Sequence, residues 1–482
     1  MVRLPSFVLA VSVVCAAALP AAAADWPVFG HDSARSGVDV AGGALTVRNV
    51  HRLRERWQIS FGSHIVADST PILLDKVPIR GKMHRMLFQT AKNGVTFGID
   101  AFSGQIVWRF ATHGPKITTS TPAADPGGRA IYVPGVDGFV RKLDAATGRQ
   151  LSAPGFPARI TRMRETEKDA SALNVANGYL YATTGGYLGD APPYDGHVVS
   201  VRLSDGTRHV FNSLCSTYRK LPKPTSCPNS DSGIWSRGGA VVDPDAAMNG
   251  EVYVASGNGK FDANQGGDSY GDSVIGLTGG ALGIVGNYTP ADYEKLDQQD
   301  LDLGSTSPAL LPRSPASRTP LMLVQGGKDA ILRLVNRDPL PGVAGELQEI
   351  SLPGALFSTP AVWTDSANRV WVFMGFSSAV DAYRLKTQAG GTSRLDGIWR
   401  SSAGQTSGEG TSPVVSNGIV FVAFDDALIA LNAENGSELW SSAMRGAGKT
   451  IGSVHWESPI VVNGWVYCSD ENGNLTAYTL PS

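Results

Sequence analysis

Residues Thr411–Trp440 read T-S-P-V-V-S-N-G-I-V-F-V-A-F-D-D-A-L-I-A-L-N-A-E-N-G-S-E-L-W. Two short apolar stretches flank Asn417-Gly418, a pair that supplies the positive φ angles of a tight hairpin. The alternating A-L-I-A-L predicts a third strand, and S-E-L-W after the turn N-A-E-N-G predicts a fourth. The stretch therefore predicts four antiparallel strands, which is the composition of one β-propeller blade.

The same plan recurs about eight times along the chain. A small hydroxyl residue followed by proline marks the first strand of six copies, at Thr70, Thr121, Ser307, Thr359, Ser412 and Ser458. Weaker copies begin at Ala170-Ser171 and at Arg237-Gly238-Gly239, and longer intervals there indicate insertions. Copies roughly 50 residues apart and built from strands indicate a propeller or a solenoid.

The last copy stops one strand short, at G-N-L-T-A-Y-T-L. An N-terminal segment, L-R-E-R-W-Q-I-S-F, has the pattern of the missing outer strand, and Trp57 then takes the position that Trp108 and Trp440 hold in their copies. Closure of the ring would remove the open edge of a linear array. We therefore expect an all-β, eight-bladed propeller of four-stranded antiparallel blades, formed as one domain by residues 25–482 and closed by this N-terminal strand.

The first 24 residues have the features of a signal peptide. Arg3 supplies the positive charge, Phe7–Leu19 is apolar, and three alanines precede Asp25. We expect the mature protein to be periplasmic or secreted, without a transmembrane anchor. The formal net charge of -2 gives no reason to expect nucleic acid as a partner.

Three cysteines follow the predicted signal peptide. In an oxidising compartment Cys215 and Cys227 could form a disulfide around a proline-rich loop, and the alternative is a pair of free thiols. Cys468 lies in the apparent strand V-Y-C-S-D, where we expect it to act as a small buried hydrophobic residue.

The turns D-A-F-S-G, D-A-A-T-G and N-A-E-N-G, with a tryptophan after the first and the third, resemble the pyrroloquinoline quinone (PQQ) repeat superfamily. D-W-P-V-F-G-H-D-S-A-R-S-G, residues 25–37, is similar to the segment that opens many of its dehydrogenase-type members. The superfamily includes PQQ-dependent alcohol and polyvinyl alcohol dehydrogenases, and also non-enzymatic scaffolds such as the propeller lipoprotein of the outer-membrane assembly machinery. The repeat alone therefore implies the fold and leaves the chemistry open.

Four residues match family stretches that hold the cofactors. S-G-I-W-S-R-G-G implies that Trp235 is the floor under the quinone, and S-G-N-G implies that Asn258 is a calcium ligand. Y-T-P-A-D-Y-E-K-L-D resembles T-P-H-D-x-W-D, which implies that Asp292 is both a calcium ligand and the general base. G-G-K-D-A-I-L-R-L implies that Lys328 contacts a quinone oxygen.

The resemblance thus implies a PQQ- and calcium-binding quinoprotein dehydrogenase. It would oxidise a small-molecule or polymeric alcohol and pass electrons to a separate acceptor. A tryptophan face suits a planar quinone, and oxygen ligands suit calcium. A carboxylate beside the substrate hydroxyl could remove its proton.

The chain also departs from the family pattern. It has no adjacent cysteine pair and no C-x-x-C-H haem motif, and Ala291 replaces the histidine of T-P-H-D. The family's calcium-binding Glu of the third copy has only Asp190 or Asp195 as counterparts. These departures favour an alternative function, a non-catalytic scaffold that binds a protein or an envelope polymer.

Each site residue has a structural interpretation as well. Trp235 could pack at a strand end, and S-G-N-G around Asn258 could be a turn. Asp292 could cap a short helix in A-D-Y-E-K-L, and Lys328 could be a solvated turn residue. A solvated acidic turn is likewise the favoured interpretation of Asp297, Asp300 and Asp302.

Overall fold

The computed structural model describes residues 25–39, 42–402 and 404–481. Within them, eight sheets follow one another in chain order around a central channel, and each has a core of four antiparallel strands. This confirms the predicted all-β, eight-bladed propeller. The predicted signal peptide, residues 1–24, lies outside the described residues.

We number the blades by the order of their inner strands along the chain. Blades 1 and 2 consist of Ile72–Ile79, Lys82–Thr90, Val95–Asp100 and Ile106–Ala111, and of Ala123–Ala124, Ala130–Pro134, Phe139–Asp144 and Ala158–Arg159. Blade 3 consists of Glu167–Asp169 with Asn174–Ala176, Tyr179–Gly186, His197–Arg202 and Arg208–Asn212. Blade 4 consists of Val241–Val242, Val252–Ala255, Val274–Leu277 and Ile284–Thr289, with Gly342–Val343 added in parallel.

The remaining blades follow the same order from the channel outward. Blades 5 and 6 consist of Ala309–Leu310, Met322–Gln325, Ile331–Asn336 and Gln348–Ser351, and of Ala361–Thr364, Val370–Gly375, Val380–Thr387 and Ser393–Ser401. Blade 7 consists of Val414–Ser416, Ile419–Phe424, Ala427–Asn432 and Glu438–Ser441, with Val38–Asp39 added in parallel. Blade 8 consists of Ile460–Val462, Trp465–Ser469, Asn474–Thr479 and Arg54–Ser60.

Within the ranges that the structure describes, helical structure is confined to short segments. They are the 3-10 turns Val50–Arg52, Ala246–Met248, Ala263–Gln265 and Leu303–Ser305, and the α-helix Tyr293–Gln298. No helix of the described residues is long and apolar enough to cross a membrane.

The N-terminal strand closes the ring as predicted. Arg54–Ser60 pairs antiparallel with Asn474–Thr479, so the outer strand of blade 8 comes from the opposite end of the described chain. Because first and last strands share one sheet, no blade of the ring is left as an open array end.

The repeated tryptophans attach several of the blades to their neighbours. Trp57 of blade 8 donates its indole N–H to the carbonyl of Ala101 in blade 1 at 3.2 Å, and Trp108 of blade 1 donates to Ala145 in blade 2 at 2.9 Å. The turn glycine makes room for the ring, since a Cβ on Gly104 would lie 2.8 Å from the Trp57 indole. Trp57 therefore has the position that the repeat predicts.

The small hydroxyl residues before the inner strands form links between neighbouring blades. The backbone N–H of Thr70 donates to Oγ1 of Thr121 at 3.0 Å, and that of Ser458 donates to Oγ1 of Thr70 at 3.0 Å. Ser412 is joined in the same way to Ser458, and Thr359 to Ser412. A buried N–H is costly unless it is hydrogen-bonded, which explains why a hydroxyl recurs at this position.

Residues 25–39 cover the end of the channel that lies away from the starts of the inner strands. Their carbonyls accept hydrogen bonds from inner strands of blades 1, 2, 4, 6 and 7. Arg35 is 2 % exposed and donates to the carbonyls of Ala172, Leu173 and Gly238 at 3.0 to 3.1 Å. One mouth of the channel is therefore closed by the N-terminal segment.

The structure contains the disulfide that was one of the two interpretations of Cys215 and Cys227. Cys215 and Cys227 form a disulfide, with their Cα atoms 5.9 Å apart, in the insertion between blades 3 and 4. Cys468 is a free and fully buried thiol in the second strand of blade 8.

Candidate functional site

A cavity of about 580 Å³ lies at the open mouth of the channel, where the inner strands begin. Two sets of residues at equivalent repeat positions line it. The set that precedes the inner strands comprises Asp68, Thr119, Lys168, Trp235, Phe357, Glu409, His455 and Trp456. The set that follows the second strands comprises Lys92, Tyr187, Asn258 and Lys328. The repeat therefore directs the same two loops of several blades to one cavity.

Three of the four predicted site residues meet in this cavity. Trp235, Asn258 and Lys328 all line it, and the Lys328 ammonium lies 5.5 Å from the centre of the Trp235 ring system. Asp292 is not among the lining residues.

Trp235 is half-buried and forms part of an aromatic wall. Its ring lies 5.9 Å from that of Trp456, nearly parallel at 20°, and 6.2 Å from that of Phe357. Gly257 of S-G-N-G is required beside it, because a Cβ there would lie 2.9 Å from the indole nitrogen and would collide with Asp302. Trp235 is thus a packing residue that still presents surface to the cavity.

Asp302 is the buried carboxylate of the cavity. It is 7 % exposed, accepts a hydrogen bond from the backbone N–H of Asn258 at 2.7 Å, and lies 2.5 Å from the Lys328 ammonium. Burial raises the pKa of Asp302, against the opposing effect of Lys328. The interpretation of Asp302 as a solvated turn residue is therefore wrong, whereas Lys328 lies in a turn with its side chain 21 % exposed.

Asn258 carries a free acceptor. Its side-chain N–H donates to Asp300 at 3.0 Å, whereas its Oδ1 is buried and has no hydrogen-bond partner among the described residues. An unpartnered buried oxygen is unfavourable unless a ligand or water satisfies it. Amide and carboxylate oxygens are the ligands that calcium takes, so Asn258, Asp300 and Asp302 form a suitable donor set.

These carboxylates belong to a larger acidic wall. We give this name to the cavity residues Asp190, Asp231, Asp297, Asp300 and Asp302. Burial raises the pKa of Asp231, and the neighbouring charges of Asp190, Asp297 and Asp302 raise it further. Of the two candidates in blade 3, Asp190 lines the cavity, whereas Asp195 is buried behind it with a pKa raised to about 7 by burial and by Glu167.

Asp292 occupies the residue before the α-helix Tyr293–Gln298. Its side chain is 44 % exposed and makes no capping hydrogen bond, and it lies 3.9 Å from the Lys295 ammonium and 4.0 Å from the guanidinium of Arg333. The predicted helix is present, and Asp292 stands at its start, away from the lining of the cavity.

A basic wall, formed by Lys92, Lys168 and His455, lines another part of the cavity. His455 Nδ1 lies 3.1 Å from the fully buried Asp68, and its Nε2 lies 3.1 Å from Glu409. Burial opposes protonation of His455, but the hydrogen bonds and charges of these two carboxylates raise its pKa to about 10. His455 is therefore an imidazolium at neutral pH.

Asp68 holds the basic wall together. The Lys92 ammonium lies 2.7 Å from it, and the Trp456 backbone N–H donates to it at 2.9 Å. Burial opposes ionisation of Asp68, but His455 and Lys92 lower its pKa to about 2. Asp68, His455 and Glu471 have metal-ligand atoms within 4.8 Å of one another, yet the Lys92 ammonium already contacts both carboxylates there.

Sequence reasoning missed the basic wall because its residues match no short motif. The repeat itself carries the signal. Asp68, Lys168 and Glu409 stand two or three residues before the inner-strand signatures, as Trp235 does in blade 4. Lys92 follows the second strand of its blade, as Lys328 does in blade 5.

Comparison with known proteins gives one family and a shared fold. The sequence profile of the family described as outer membrane protein assembly factor BamB matches residues 34–224 and 393–480. Among curated protein sequences, none matches the chain.

Solved structures share the propeller fold at low sequence identity. Quinohemoprotein alcohol dehydrogenase ADHIIG from Pseudomonas putida HK5 is 14% identical with a TM-score of 0.68, covering 95% of this chain and 80% of its own. A europium-containing methanol dehydrogenase is 14% identical with a TM-score of 0.65, covering 95% and 98%. BamB from Moraxella catarrhalis is 13% identical with a TM-score of 0.53, covering 89% and 99%. At such identities the likeness concerns the fold alone.

Proposed function

We propose that this chain, which belongs to the PQQ-repeat family described as outer membrane protein assembly factor BamB, is a quinoprotein dehydrogenase. It would bind PQQ and calcium in the cavity, oxidise an alcohol, and pass the electrons to a separate acceptor. The observation that carries this proposal is the convergence of Trp235, Asn258 and Lys328 around one cavity, with the Asn258 Oδ1 buried and unpartnered.

The residues of the cavity fit both groups. Trp235 offers an aromatic surface for a planar quinone, and the basic wall offers cations for its carboxylates. Asn258 Oδ1 with the carboxylates of Asp300 and Asp302 would hold the metal. When bound, the quinone supplies a two-electron acceptor and the metal supplies a Lewis acid.

In this proposal Asp302 takes the role of general base that the sequence suggested for Asp292. Asp302 lines the cavity, is buried, and has a raised pKa, and a carboxylate with a pKa nearer to neutral accepts a proton more effectively. Lys328 holds one oxygen of Asp302 at 2.5 Å and so orients the carboxylate. Asp302 would receive the proton of the substrate hydroxyl.

Substrate would enter and product would leave through one mouth. The N-terminal segment covers the other end of the channel, where Arg35 is buried. Leu188 beside the open mouth is 103 % exposed, so the rim offers apolar surface to a small or polymeric alcohol.

We further propose that the protein works in the periplasm or outside the cell. The predicted signal peptide and the disulfide between Cys215 and Cys227 support an oxidising compartment. Because the chain has no C-x-x-C-H motif, the electron acceptor would be a separate molecule.

The test is reconstitution of the mature protein with PQQ and calcium, followed by quinone absorbance and dye-linked alcohol oxidation. We expect Asp302→Asn to keep the quinone but to lose about 100-fold or more in kcat, since general-base catalysis contributes about that factor. Asp292→Asn is the matched control and should retain activity. A wild-type protein that binds no PQQ would refute the proposal.

One observation favours the alternative function, a non-catalytic scaffold for a protein or envelope polymer. The Lys328 ammonium already contacts Asp300 and Asp302, so this part of the acidic wall is partly neutralised without a metal. A scaffold would capture the same cross-linked envelope partners whether residue 302 is Asp or Asn. Capture of no envelope partner by the wild-type protein would count against the scaffold.

A further inference from the structure

Lys168 differs from the other lysines of the cavity in having no anionic partner. Lys92 lies 2.7 Å from Asp68, and Lys328 lies 2.5 Å from Asp302. Lys168 also lines the cavity and is half-buried, but its ammonium forms no ion pair within 4.0 Å and no hydrogen bond with any residue that the structure describes. The centre of the Tyr187 ring lies 5.9 Å from its Nζ.

An ammonium in this position is unfavourable unless a ligand pairs with it. Burial and the neighbouring charge of Lys92 lower the pKa of Lys168 to about 8, against the opposing charges of Asp68, Asp190 and Glu409. At neutral pH most molecules therefore still carry three unpaired ammonium donors at the wall of the cavity.

We propose that Lys168 is an anion-binding residue that takes a carboxylate of a molecule bound in the cavity. The His455 imidazolium, 31 % exposed on the same wall, adds a second positive charge, and Tyr187 adds an aromatic surface. The carboxylate belongs either to the proposed quinone or to an alcohol substrate that is also an acid. This inference does not require that the quinone binds.

The neighbouring acids select the kind of anion. The charges of Asp68, Asp190 and Glu409 act on Lys168 although none forms an ion pair with it. Their repulsion disfavours a divalent group such as a phosphate monoester, whereas a single carboxylate needs only one cation. A hydroxy acid such as lactate is therefore a suitable probe, and propane-1,2-diol is the matched alcohol without the carboxylate.

Lys116 provides a matched control for Lys168. Its ammonium lies 4.6 Å from the centre of the same Tyr187 ring, but Lys116 is exposed and does not line the cavity. Lys116→Met and Lys168→Met remove the same charge from the same ring. They differ in whether the ammonium faces the cavity.

Calorimetric titration of the metal-free, quinone-free protein with lactate, PQQ and propane-1,2-diol tests the proposal. We expect Lys168→Met to weaken carboxylate binding about tenfold, the factor typical of one lost charge-assisted hydrogen bond. Binding of the diol should not change, and Lys116→Met should bind all three ligands as the wild type does. A melting temperature no lower than that of the wild type would show that Lys168→Met folds.

Competitive labelling with acetic anhydride near pH 8, read by mass spectrometry, gives an independent readout. Added lactate or PQQ should protect Lys168 and leave Lys116 unprotected. Protection of Lys168 by lactate alone would indicate that it binds a substrate carboxylate. Protection by PQQ alone would indicate that it binds a cofactor carboxylate.

The outcomes separate this proposal from that of the quinone. Protection of Lys168 by lactate in a protein that binds no PQQ would retain the anion site and reject the quinoprotein function. Equal carboxylate affinities in the wild type and Lys168→Met, or no carboxylate binding at all, would overturn the anion site.

Discussion

The acidic wall and the basic wall line the same cavity, yet their charges are arranged in different ways. In the acidic wall, five carboxylates face the single ammonium of Lys328. In the basic wall, the buried carboxylate of Asp68 is shared between two cations, Lys92 and His455. The acidic wall therefore has an excess of negative charge, whereas the basic wall is held together by its own ion pairs.

The difference shows how a repeat fold acquires a directional site. The propeller supplies equivalent loops around one mouth, and the side chains on each loop decide what that side can bind. An acidic wall suits a cation, and a basic wall with an unpaired lysine suits an anion. A ligand that brings a metal and a carboxylate together would match both walls.

The largest expected effect comes from removing the acid of the basic wall. Asp68→Asn would leave the charges of Lys92 and His455 uncompensated by their buried partner. Breaking such a pair typically costs about 3 kcal/mol of unfolding free energy, measurable by urea denaturation. On the acidic wall, the side chain of Asp300 is 74 % exposed. Asp300→Asn should therefore change the unfolding free energy by less than about 0.5 kcal/mol. Equal losses in both variants would contradict the difference between the walls.

The pH dependence of stability should report the His455 imidazolium. Its pKa is about 10 in the folded protein against 6.5 for a free histidine, so its contribution is complete below pH 6.5 and is lost as the pH rises through 10. Between pH 6.5 and 8, the difference in unfolding free energy between the wild type and His455→Gln should shrink by on the order of 1 kcal/mol, because partial exposure screens the pair. A difference independent of pH would show that His455 is not a buried imidazolium.

Calcium should stabilise the protein through the acidic wall. Lys328→Met removes the ammonium that competes for Asp300 and Asp302. We therefore expect calcium to raise the unfolding free energy of this variant by about 1 kcal/mol more than that of the wild type, read as a shift in melting temperature. Lys92→Met, the control on the basic wall, should respond to calcium as the wild type does. A larger calcium response in Lys92→Met than in Lys328→Met would indicate that calcium binds at Asp68, His455 and Glu471 instead.

The smallest expected effect is a gain in stability from removing an acid of the acidic wall. Because burial and neighbouring carboxylates raise the pKa of Asp231, its ionisation destabilises the folded protein above that pKa. Asp231→Asn should stabilise the protein by about 0.5 kcal/mol at pH 7 and by nothing below pH 3. A loss of stability at pH 7 would mean that Asp231 has a favourable partner.

Much of the architecture could be predicted because it depends on local pattern. The hydroxyl residue before proline marks the inner strands, since its side chain links neighbouring blades, as Ser412 and Ser458 do. A tryptophan follows the D-A-x-x-G or N-A-x-x-G turn in other blades, and this pattern predicted that Trp57 belongs to blade 8. In the structure, Trp57 and Trp108 make equivalent hydrogen bonds to the neighbouring blade.

The candidate site was predictable where a side chain lies in a well-defined loop. Trp235, Asn258 and Lys328 each have a glycine within the two preceding residues, and all three line the cavity. Several acids follow one another in the segment from Asp292 to Asp302, and Asp302 lines the cavity whereas Asp292 does not. Asp302 is held at the cavity because its carboxylate accepts the N–H of Asn258 and its carbonyl accepts the N–H of Lys328 at 3.0 Å.

The number of blades, the borrowed N-terminal strand and the closed ring follow from local sequence patterns, because strand alternation and turn residues act over short distances. Only the tertiary structure decided which charges meet. Asp68 and His455 are 387 residues apart and share a hydrogen bond, while Lys168 reaches the same cavity without an ion-pair partner in the described part of the chain. Pairing of this kind depends on where blades 8, 1 and 3 converge, and a linear pattern carries no information about distances across the channel.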